Sequence, residues 1–262
     1  MKPASCDLFV EVPGGKIFTR RWSVHAARHP PLVLLHDSLG CVDLWRDFPG
    51  ELALACDCEV IAYDRLGFGK SSARRDVPSL QFIHEEAALY FPALHQTLGL
   101  SNFSLFGHSV GGGMALMIAA LHPEHCTAVI TESAQAFVEE RTVTGIRTAM
   151  QHFAQPEPFA KLERLHGDKA RWVFAAWTET WLSPDFSSWS LDAHLGRVRC
   201  PVLAIHGDLD EYGSLEFPRR IASQVNGYSE QFILRGCGHI PHREKKTQVL
   251  QACRTFLDHH AK

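Results

Sequence analysis

Short apolar runs alternate along the chain with longer stretches in which apolar residues recur at helical spacing. Residues 8–12 and 16–22 flank Pro13-Gly14-Gly15, a pattern that predicts a β-hairpin. Six further apolar runs predict strands at residues 32–36, 59–63, 103–107, 128–131, 202–206 and 231–234. The stretches between them predict helices at residues 43–56, 79–98, 110–121, 215–225 and 244–258. This alternation indicates an α/β fold with a mostly parallel eight-stranded sheet, helices on both faces and an antiparallel hairpin at one edge.

The interval 133–197 breaks this alternation, because no run within it is typical of a strand. It is compatible with helices, rich in tryptophan, and interrupted by Gln155-Pro156-Glu157-Pro158 and Ser183-Pro184-Asp185. A segment of this length is too long to be a plain loop in a compact domain. We therefore expect residues 133–197 to form a helical cap (lid) inserted into a core made of residues 1–132 and 198–262.

Composition narrows the classes of protein that the chain can represent. The 262 residues are 45% hydrophobic and 21% charged, which is typical of a globular protein with a substantial core. The net charge of -3 is spread without basic runs, so we expect no nucleic-acid partner. No signal-peptide pattern and no stretch of 18 apolar residues occurs, so we expect a cytoplasmic protein with no membrane partner.

Cysteine and histidine are frequent but do not form ligand patterns. The eight cysteines are dispersed, and we expect them to be reduced and mostly buried. The sixteen histidines do not cluster with other ligands at metal-site spacing, so we predict no metal. The stretch from Asp64 to Ser71 carries glycines and a lysine but lacks the spacing of a phosphate loop, so we expect no nucleotide cofactor.

The most informative stretch is an apolar strand that runs into Gly107-His108-Ser109-Val110-Gly111 and is followed at once by a helical pattern. A nucleophile on a sharp strand-to-helix turn has a strained backbone, and side chains two residues before or after it would clash, which explains the glycines. The turn presents the hydroxyl at a helix N-terminus, where backbone N–H groups stabilise negative charge. We predict that Ser109 is a nucleophile that attacks acyl carbonyl groups.

Taken together, the chain resembles the α/β-hydrolase superfamily, in its serine-nucleophile branch with a helical cap. The resemblance covers nearly the whole chain, and the order of its motifs is more specific than any one of them. In chain order these are the loop from His36 to Gly40, the stretch from Asp64 to Ser71, the Ser109 turn, the 133–197 interval, His206-Gly207-Asp208-Leu209-Asp210 and Gly236-Cys237-Gly238-His239. The resemblance implies an α/β-hydrolase fold and a Ser, Asp, His triad in that chain order.

A serine hydroxyl needs a base, and the ordinary pKa of histidine suits that task near neutral pH. His239 follows the last predicted strand, where a loop can bring an imidazole over Ser109. His242, three residues later, is the alternative base. We interpret His108, beside the nucleophile, as a packing or hydrogen-bonding residue.

The imidazole in turn needs a carboxylate to fix its tautomer and stabilise its charge. Residues 207–211 offer three carboxylates, and the Gly-x-x-Asp pattern implied by the resemblance selects Asp210. Asp208 then braces the loop. Glu132, after the preceding predicted strand, is a further possible acid, because some members of the superfamily take their acid from there.

Acyl transfer also requires N–H donors for the developing oxyanion. Val110 should supply one donor, and the resemblance implies that Ser38 supplies the other. Relatives carry His-Gly-x-x-Gly in that loop, whereas Asp37 here replaces the first glycine. Asp37 either adopts the conformation that glycine favours, places a carboxylate at the mouth of the site, or only braces the loop.

Serine as nucleophile separates the chain from haloalkane dehalogenases and epoxide hydrolases, which use aspartate in the same place. We expect hydrolysis of a small carboxylic ester or related acyl compound through an acyl-enzyme, with a small-molecule acyl substrate as the partner. A C–C bond hydrolase, a cofactor-free perhydrolase and a hydrolase-fold receptor are the alternatives, and the oligomeric state stays open. Trp177 and Trp181, four residues apart on one helical face, are predicted to line the substrate pocket.

Overall fold

In a computed structural model that describes residues 3–261, eight strands form a single sheet. The strands are β1 (Ala4–Val12), β2 (Gly15–Ser23), β3 (His29–Leu35), β4 (Cys58–Tyr63), β5 (Phe103–His108), β6 (Cys126–Glu132), β7 (Val202–Gly207) and β8 (Ser229–Leu234). Their order across the sheet is β1-β2-β4-β3-β5-β6-β7-β8. The β1–β2 and β2–β4 pairs are antiparallel, and the other neighbours are parallel. The predicted α/β fold with a mostly parallel sheet is confirmed.

Helices occupy most of the connections between the strands. They are α1 (Phe48–Cys56), α2 (Phe82–Glu85), α3 (Phe91–Thr97), α4 (Val110–Leu121), α5 (Glu140–Phe153), α6 (Pro156–His166), α7 (Ala170–Trp181), α8 (Asp192–Leu195), α9 (Glu216–Gln224), α10 (Pro241–Glu244) and α11 (Lys246–His260). The predicted helix at 79–98 is continuous in course but contains a π-helical turn, Glu86–Tyr90, between α2 and α3. The predicted helix at 43–56 is split, because Arg46 has a φ of 56° and ends a 3-10 turn before α1 begins.

The sheet separates two apolar layers, because successive side chains of a strand point to opposite faces. In β3, Val33 and Leu35 pack on one side, while Leu32 and Leu34 pack on the other. Helices α3, α4 and α9 cover the first face, and α1 and α11 cover the second. Strand β5 is buried along its whole length and lies in the middle of the sheet. Its carboxyl end therefore lies in the middle of the edge at which the parallel strands end.

Residues 133–197 contribute no strand to the sheet and hold α5 to α8. This segment is fastened to the loops that follow β3 and β4. The His166 ring accepts the Gly69 N–H at 2.9 Å and donates to the Leu39 carbonyl at 3.0 Å. The Lys169 ammonium donates to the Gly69 carbonyl at 2.6 Å. These contacts hold the helical segment at the carboxyl edge of the sheet, and its division into a separate cap stays a prediction.

All eight cysteines are free thiols, and Cys6 is the exposed one. Within residues 3–261, none of the helices has the length and the apolar character needed to cross a bilayer.

Candidate active site

Ser109 lies between the end of β5 and the start of α4, in a strained conformation with φ 57° and ψ -126°. Such a tight turn leaves no room beside it. A Cβ atom on Gly107 would lie 2.2 Å from the Gly111 carbonyl oxygen, and a Cβ atom on Gly111 would lie 2.2 Å from the Leu35 carbonyl oxygen. Because these contacts are with backbone atoms, they cannot be relieved by a side-chain rotation. The structure therefore explains both glycines by close approach, as the sequence predicted.

Three side chains from separate loops meet at this turn. The Nε2 atom of His239 lies 3.0 Å from the Oγ atom of Ser109. The Nδ1 atom of the same ring lies 2.9 Å from each carboxylate oxygen of Asp210. All three residues are buried, and Asp210 is only 1% exposed. Because Nδ1–H donates to the carboxylate, Nε2 is left as the acceptor that faces the serine hydroxyl.

The two charged partners of this arrangement shift each other's pKa. Burial alone would raise the pKa of Asp210, but the His239 charge and hydrogen bond outweigh burial and lower that pKa below its ordinary value. Burial alone would lower the pKa of His239, but the Asp210 carboxylate outweighs burial and raises it. The two shifts therefore favour an ionised Asp210 beside a His239 imidazole that gains a proton readily.

Asp210 is held in place by the backbone of its own loop. The N–H groups of Tyr212 and Gly213 donate to its Oδ1 atom at 2.8 and 3.2 Å. Asp208 has a different position, because its Oδ1 atom accepts the Gly236 N–H at 2.7 Å. Asp208 thus joins the loop after β7 to the loop that carries His239, which matches the bracing role interpreted from the sequence.

The alternative base and the alternative acid lie next to each other. The Nδ1 atom of His242 is 2.6 Å from the Oε2 atom of Glu132, and both side chains are buried. His108 lies between the two histidine–carboxylate pairs and donates from Nε2 to the His239 carbonyl at 2.8 Å. Burial lowers the pKa of His108 to about 4, so its ring is neutral near pH 7.

Three neighbouring residues have donor atoms that lie within 4.8 Å of one another and could hold a metal ion, namely His108, Glu132 and His242. Two of the donor atoms are already engaged, the Nε2 atom of His108 with a carbonyl and the Nδ1 atom of His242 with Glu132. We therefore interpret the three residues as a hydrogen-bonded support beneath the loop that carries His239.

Ser109 opens into a cavity of about 600 Å³. Its apolar lining comes from the loops and from the helical segment, and consists of Leu39, Ile146, Phe153, Trp177 and Ile240. Trp177 thus lies where the sequence predicted. Trp181 does not line this cavity but an adjoining one of about 510 Å³, since it packs beside Phe186 and Trp189 with ring centroids 5.2 and 5.6 Å away.

The predicted oxyanion donors belong to two different segments, the loop after β3 and the start of α4. Ser38 lines the Ser109 cavity, and Val110 is the first residue of α4, where an N–H group has no partner within the helix. Asp37 lines the same cavity and is not among the non-glycine residues of positive φ, so the suggestion that it adopts a glycine-like backbone is wrong. Its carbonyl oxygen instead accepts from Arg65 Nη2 at 2.7 Å, which holds the loop in an ordinary conformation.

Sequence reasoning missed two neighbours of the site. The Ser109 hydroxyl lies 3.2 Å from Oε1 of Gln135, and the Tyr212 ring lies 4.7 Å from the His239 ring, centroid to centroid. Both residues come shortly after the carboxyl ends of parallel strands, which meet at one edge of a sheet. That position in the chain was the signal that would have identified them.

A sequence profile of the alpha/beta hydrolase fold matches residues 30–190. The chain belongs to the α/β-hydrolase fold family. The proline iminopeptidase of Lactobacillus helveticus is 25% identical to this protein over 88% of the chain and 90% of its own length.

Two solved structures share the fold of this protein at low sequence identity. A bacterial membrane phospholipase A superposes with a TM-score of 0.76 at 21% identity, covering 97% of this chain and 86% of that one. The enol-lactonase of Burkholderia xenovorans LB400 gives 0.74 at 18% identity, covering 96% of this chain and 100% of that one. The fold is thus shared by proteins whose names describe different acyl substrates.

Proposed function

We propose that this protein is a serine hydrolase that cleaves a small carboxylic ester through an acyl-enzyme formed on Ser109. The observation that carries the proposal is the continuous hydrogen-bonded line from Asp210 through His239 to Ser109, with separations of 2.9 and 3.0 Å. A base within hydrogen-bond reach of a hydroxyl, itself oriented by a third group, is the arrangement that nucleophilic catalysis requires.

In the proposed mechanism, His239 Nε2 takes the Ser109 proton while Oγ attacks the ester carbonyl. The oxyanion accepts hydrogen bonds from the N–H groups of Val110 and Ser38 at the start of α4 and in the loop after β3. His239 then gives its proton to the leaving alcohol oxygen, and Asp210 stabilises the imidazolium meanwhile. Water repeats the sequence on the acyl-enzyme, releases the acid and restores Ser109.

The lining of the cavity supports an acyl substrate over a highly charged one. Six of its residues are aliphatic or aromatic, and Trp177 is the largest of them. Apolar walls around a few convergent polar groups favour binding of a small organic molecule. The helical segment 133–197 supplies Trp177, Phe153 and Ile146, so we propose that it acts as a cap that contributes to substrate selection.

The test compares wild type with Ser109→Ala in the hydrolysis of p-nitrophenyl acetate and butyrate. We expect repeated turnover by wild type and a loss of at least ~10⁴-fold in Ser109→Ala, since the nucleophile acts as part of a unit. Ser101→Ala, an exposed serine, is the matched control and should keep the wild-type rate. Equal rates in wild type and Ser109→Ala would refute the proposal, and one slow acylation without release would favour a receptor.

A second candidate is the release of an N-terminal proline from a peptide. It is favoured by Asp37 and Glu211, two carboxylates on the wall of the Ser109 cavity where a substrate ammonium could bind. The similarity to a proline iminopeptidase over most of both chains points the same way. Turnover of L-proline p-nitroanilide at a higher kcat/KM than p-nitrophenyl butyrate would establish this candidate in place of the ester hydrolase.

A further inference from the structure

A second cavity adjoins the Ser109 cavity, and the two share Ser38 and Trp177 as lining residues. We call it the Arg65 cavity, and its volume of about 510 Å³ includes space that is open to solvent. Most of its wall is aromatic or aliphatic, including Phe82, Met114 and Trp172. Three charged residues interrupt that surface, namely Arg65, Arg74 and Glu86. The two cavities are therefore neighbours, and the Arg65 cavity is the one that carries fixed charges beside an aromatic wall.

Arg65 is a buried cation that forms no direct ion pair in the part of the chain that the structure describes, although the charges of Glu86 and Asp37 act on it from a greater distance. It is 5% exposed, and none of the ion pairs within 4.0 Å among residues 3–261 includes it. Its guanidinium donates from Nη2 to the Asp37 carbonyl at 2.7 Å and lies 4.2 Å from the centre of the Phe68 ring. The Nε atom is buried and has no hydrogen-bond partner. A buried charge in this state is costly unless an anion completes its surroundings.

The other two charges define how much negative charge the cavity can accept. Arg74 lies 6.0 Å from the rings of both Tyr90 and Trp172 and is paired with the exposed Asp76, which is not a lining residue. Glu86 is buried and accepts a hydrogen bond from the Tyr63 hydroxyl at 2.8 Å. Two guanidinium groups and one carboxylate leave the wall with one net positive charge. A monoanion matches that balance, whereas a phosphate dianion would carry a second negative charge toward Glu86.

We infer that the Arg65 cavity binds a carboxylate of the substrate, so that the preferred ester carries a free carboxylate several bonds from its scissile carbonyl. The planar guanidinium of arginine suits a carboxylate, to which it can donate two parallel hydrogen bonds. The aromatic wall then packs the hydrocarbon chain between the ester and the carboxylate. This inference rests on the proposed ester hydrolysis at Ser109 and assigns its substrate class.

The test uses two pairs of esters that have the same chain length and differ in one carboxylate. Monomethyl adipate against methyl hexanoate places the charge on the acyl side, and acetoxyhexanoate against hexyl acetate places it on the alcohol side. We expect at least a ~10-fold higher kcat/KM for the anionic member of one pair, which is the scale of a charge-assisted hydrogen bond. The difference should reside mainly in KM, since the carboxylate binds away from the reacting atoms.

Variants show which residues cause this preference. We express the preference as the kcat/KM for the anionic ester divided by that for the neutral ester of the same pair. A general loss of activity affects both values and leaves their ratio unchanged. Arg65→Gln and Arg74→Gln should each reduce the ratio, and Glu86→Gln should raise it. Arg75→Gln is the matched control, because it removes the same charge from an exposed residue that does not line the cavity. If Arg65→Gln does not fold, Arg74→Gln and Glu86→Gln still test the inference through their opposite signs.

Failure of the inference and failure of the proposed function give different results. Ser109-dependent hydrolysis with no anionic preference in either pair overturns the inference and leaves the function standing. A ratio unchanged in Arg74→Gln and Glu86→Gln also overturns it. If all four esters are inert, titration calorimetry of monomethyl adipate with wild type and Arg74→Gln decides the binding question separately. Binding that weakens in Arg74→Gln supports the cavity assignment, and no binding to wild type refutes it.

Discussion

His242 donates from Nδ1 to Glu132 Oε2 at 2.6 Å, so the two residues that rival His239 and Asp210 in the sequence are bonded to each other. A second buried histidine–carboxylate pair thus lies beside the pair formed by His239 and Asp210. The His108 ring lies between them, with centroids 5.1 Å from His239 and 5.2 Å from His242. The pair that reaches the Ser109 hydroxyl is the one formed by His239.

This arrangement predicts that the carboxylates of Asp210 and Glu132 differ in their effect on the rate of ester hydrolysis. Asp210→Asn should lower kcat for p-nitrophenyl butyrate by about 10³- to 10⁴-fold, because the imidazole loses its tautomer control and its counter-charge. Glu132→Gln should lower it by less than ~10-fold, since Gln can still accept from His242 and does not touch His239. Steady-state kinetics of both variants decide the matter, and a larger loss in Glu132→Gln would reverse the assignment of the acid.

The second pair should instead contribute to stability. His242→Ala leaves Glu132 as an uncompensated buried charge, and we expect the free energy of unfolding to fall by about 3 kcal/mol. Urea denaturation at neutral pH measures this change. His259→Ala, near the chain end on an exposed helix face, serves as the control and should be close to wild type.

The raised pKa of His239 predicts the pH dependence of the reaction. His239 must be neutral to accept the Ser109 proton, so activity is lost as pH falls through the pKa of this ring. Because Asp210 outweighs burial and raises that pKa, the acidic limb of kcat/KM should lie above the ordinary value of about 6.5. In Asp210→Asn the limb should move to lower pH, whereas in Asp208→Asn it should stay in place. A limb that does not move in Asp210→Asn would argue that another group controls it.

The contacts of Gly111 predict a large effect from a small substitution. Gly111→Ala would place a Cβ atom 2.2 Å from a backbone carbonyl oxygen, so the turn must shift and Ser109 must move with it. We expect a loss of at least ~100-fold in kcat, the scale expected for a displaced catalytic group, with a lowered midpoint of thermal unfolding. Gly196→Ala is the matched control, because its Cβ would meet its nearest neighbour at 4.0 Å and its backbone is α-helical. Similar behaviour of the two variants would contradict the steric explanation.

The lowered pKa of His108 predicts acid sensitivity of the fold. With a pKa of about 4 when folded and about 6.5 when unfolded, this ring binds its proton more readily in the unfolded chain. Its contribution to stability is therefore present above pH ~6.5 and is lost as pH falls toward ~4. At pH ~5.5 the loss is about 1 kcal/mol. Urea denaturation of wild type and His108→Gln at pH ~7.5 and ~5.5 checks this, because the decrease between the two values should be smaller in the variant.

Features encoded by neighbouring residues were predictable from the sequence. The strand β5, the glycines around Ser109 and the start of α4 form one continuous stretch whose steric requirements are local. The positions of the central parallel strands β3 to β7 also followed from their apolar runs, since a buried parallel strand needs apolar side chains on both faces. The split of the 43–56 helix was not foreseen, because it depends on the left-handed conformation of Arg46.

Features that depend on long-range packing were not predictable in the same way. Asp210 and Glu132 both follow strands whose carboxyl ends lie at the site, and only the folded loops decide which histidine each one meets. Trp177 and Trp181 share a helix face in the sequence and both line the Arg65 cavity, but Trp181 does not reach the Ser109 cavity because it packs among aromatic residues of the same segment. The absence of a direct ion pair at Arg65 among the described residues likewise follows from the packing of distant segments.

The close backbone contacts at the nucleophile turn fall on positions 107 and 111. The side chain at 109 faces the cavity and contacts the side chains of His239 and Gln135. A cysteine or an aspartate at this position should therefore leave the turn intact while changing which bonds can be attacked. The scaffold and the reactive group can thus be altered independently, and new chemistry at this site needs one substitution followed by adjustment of the cavity walls.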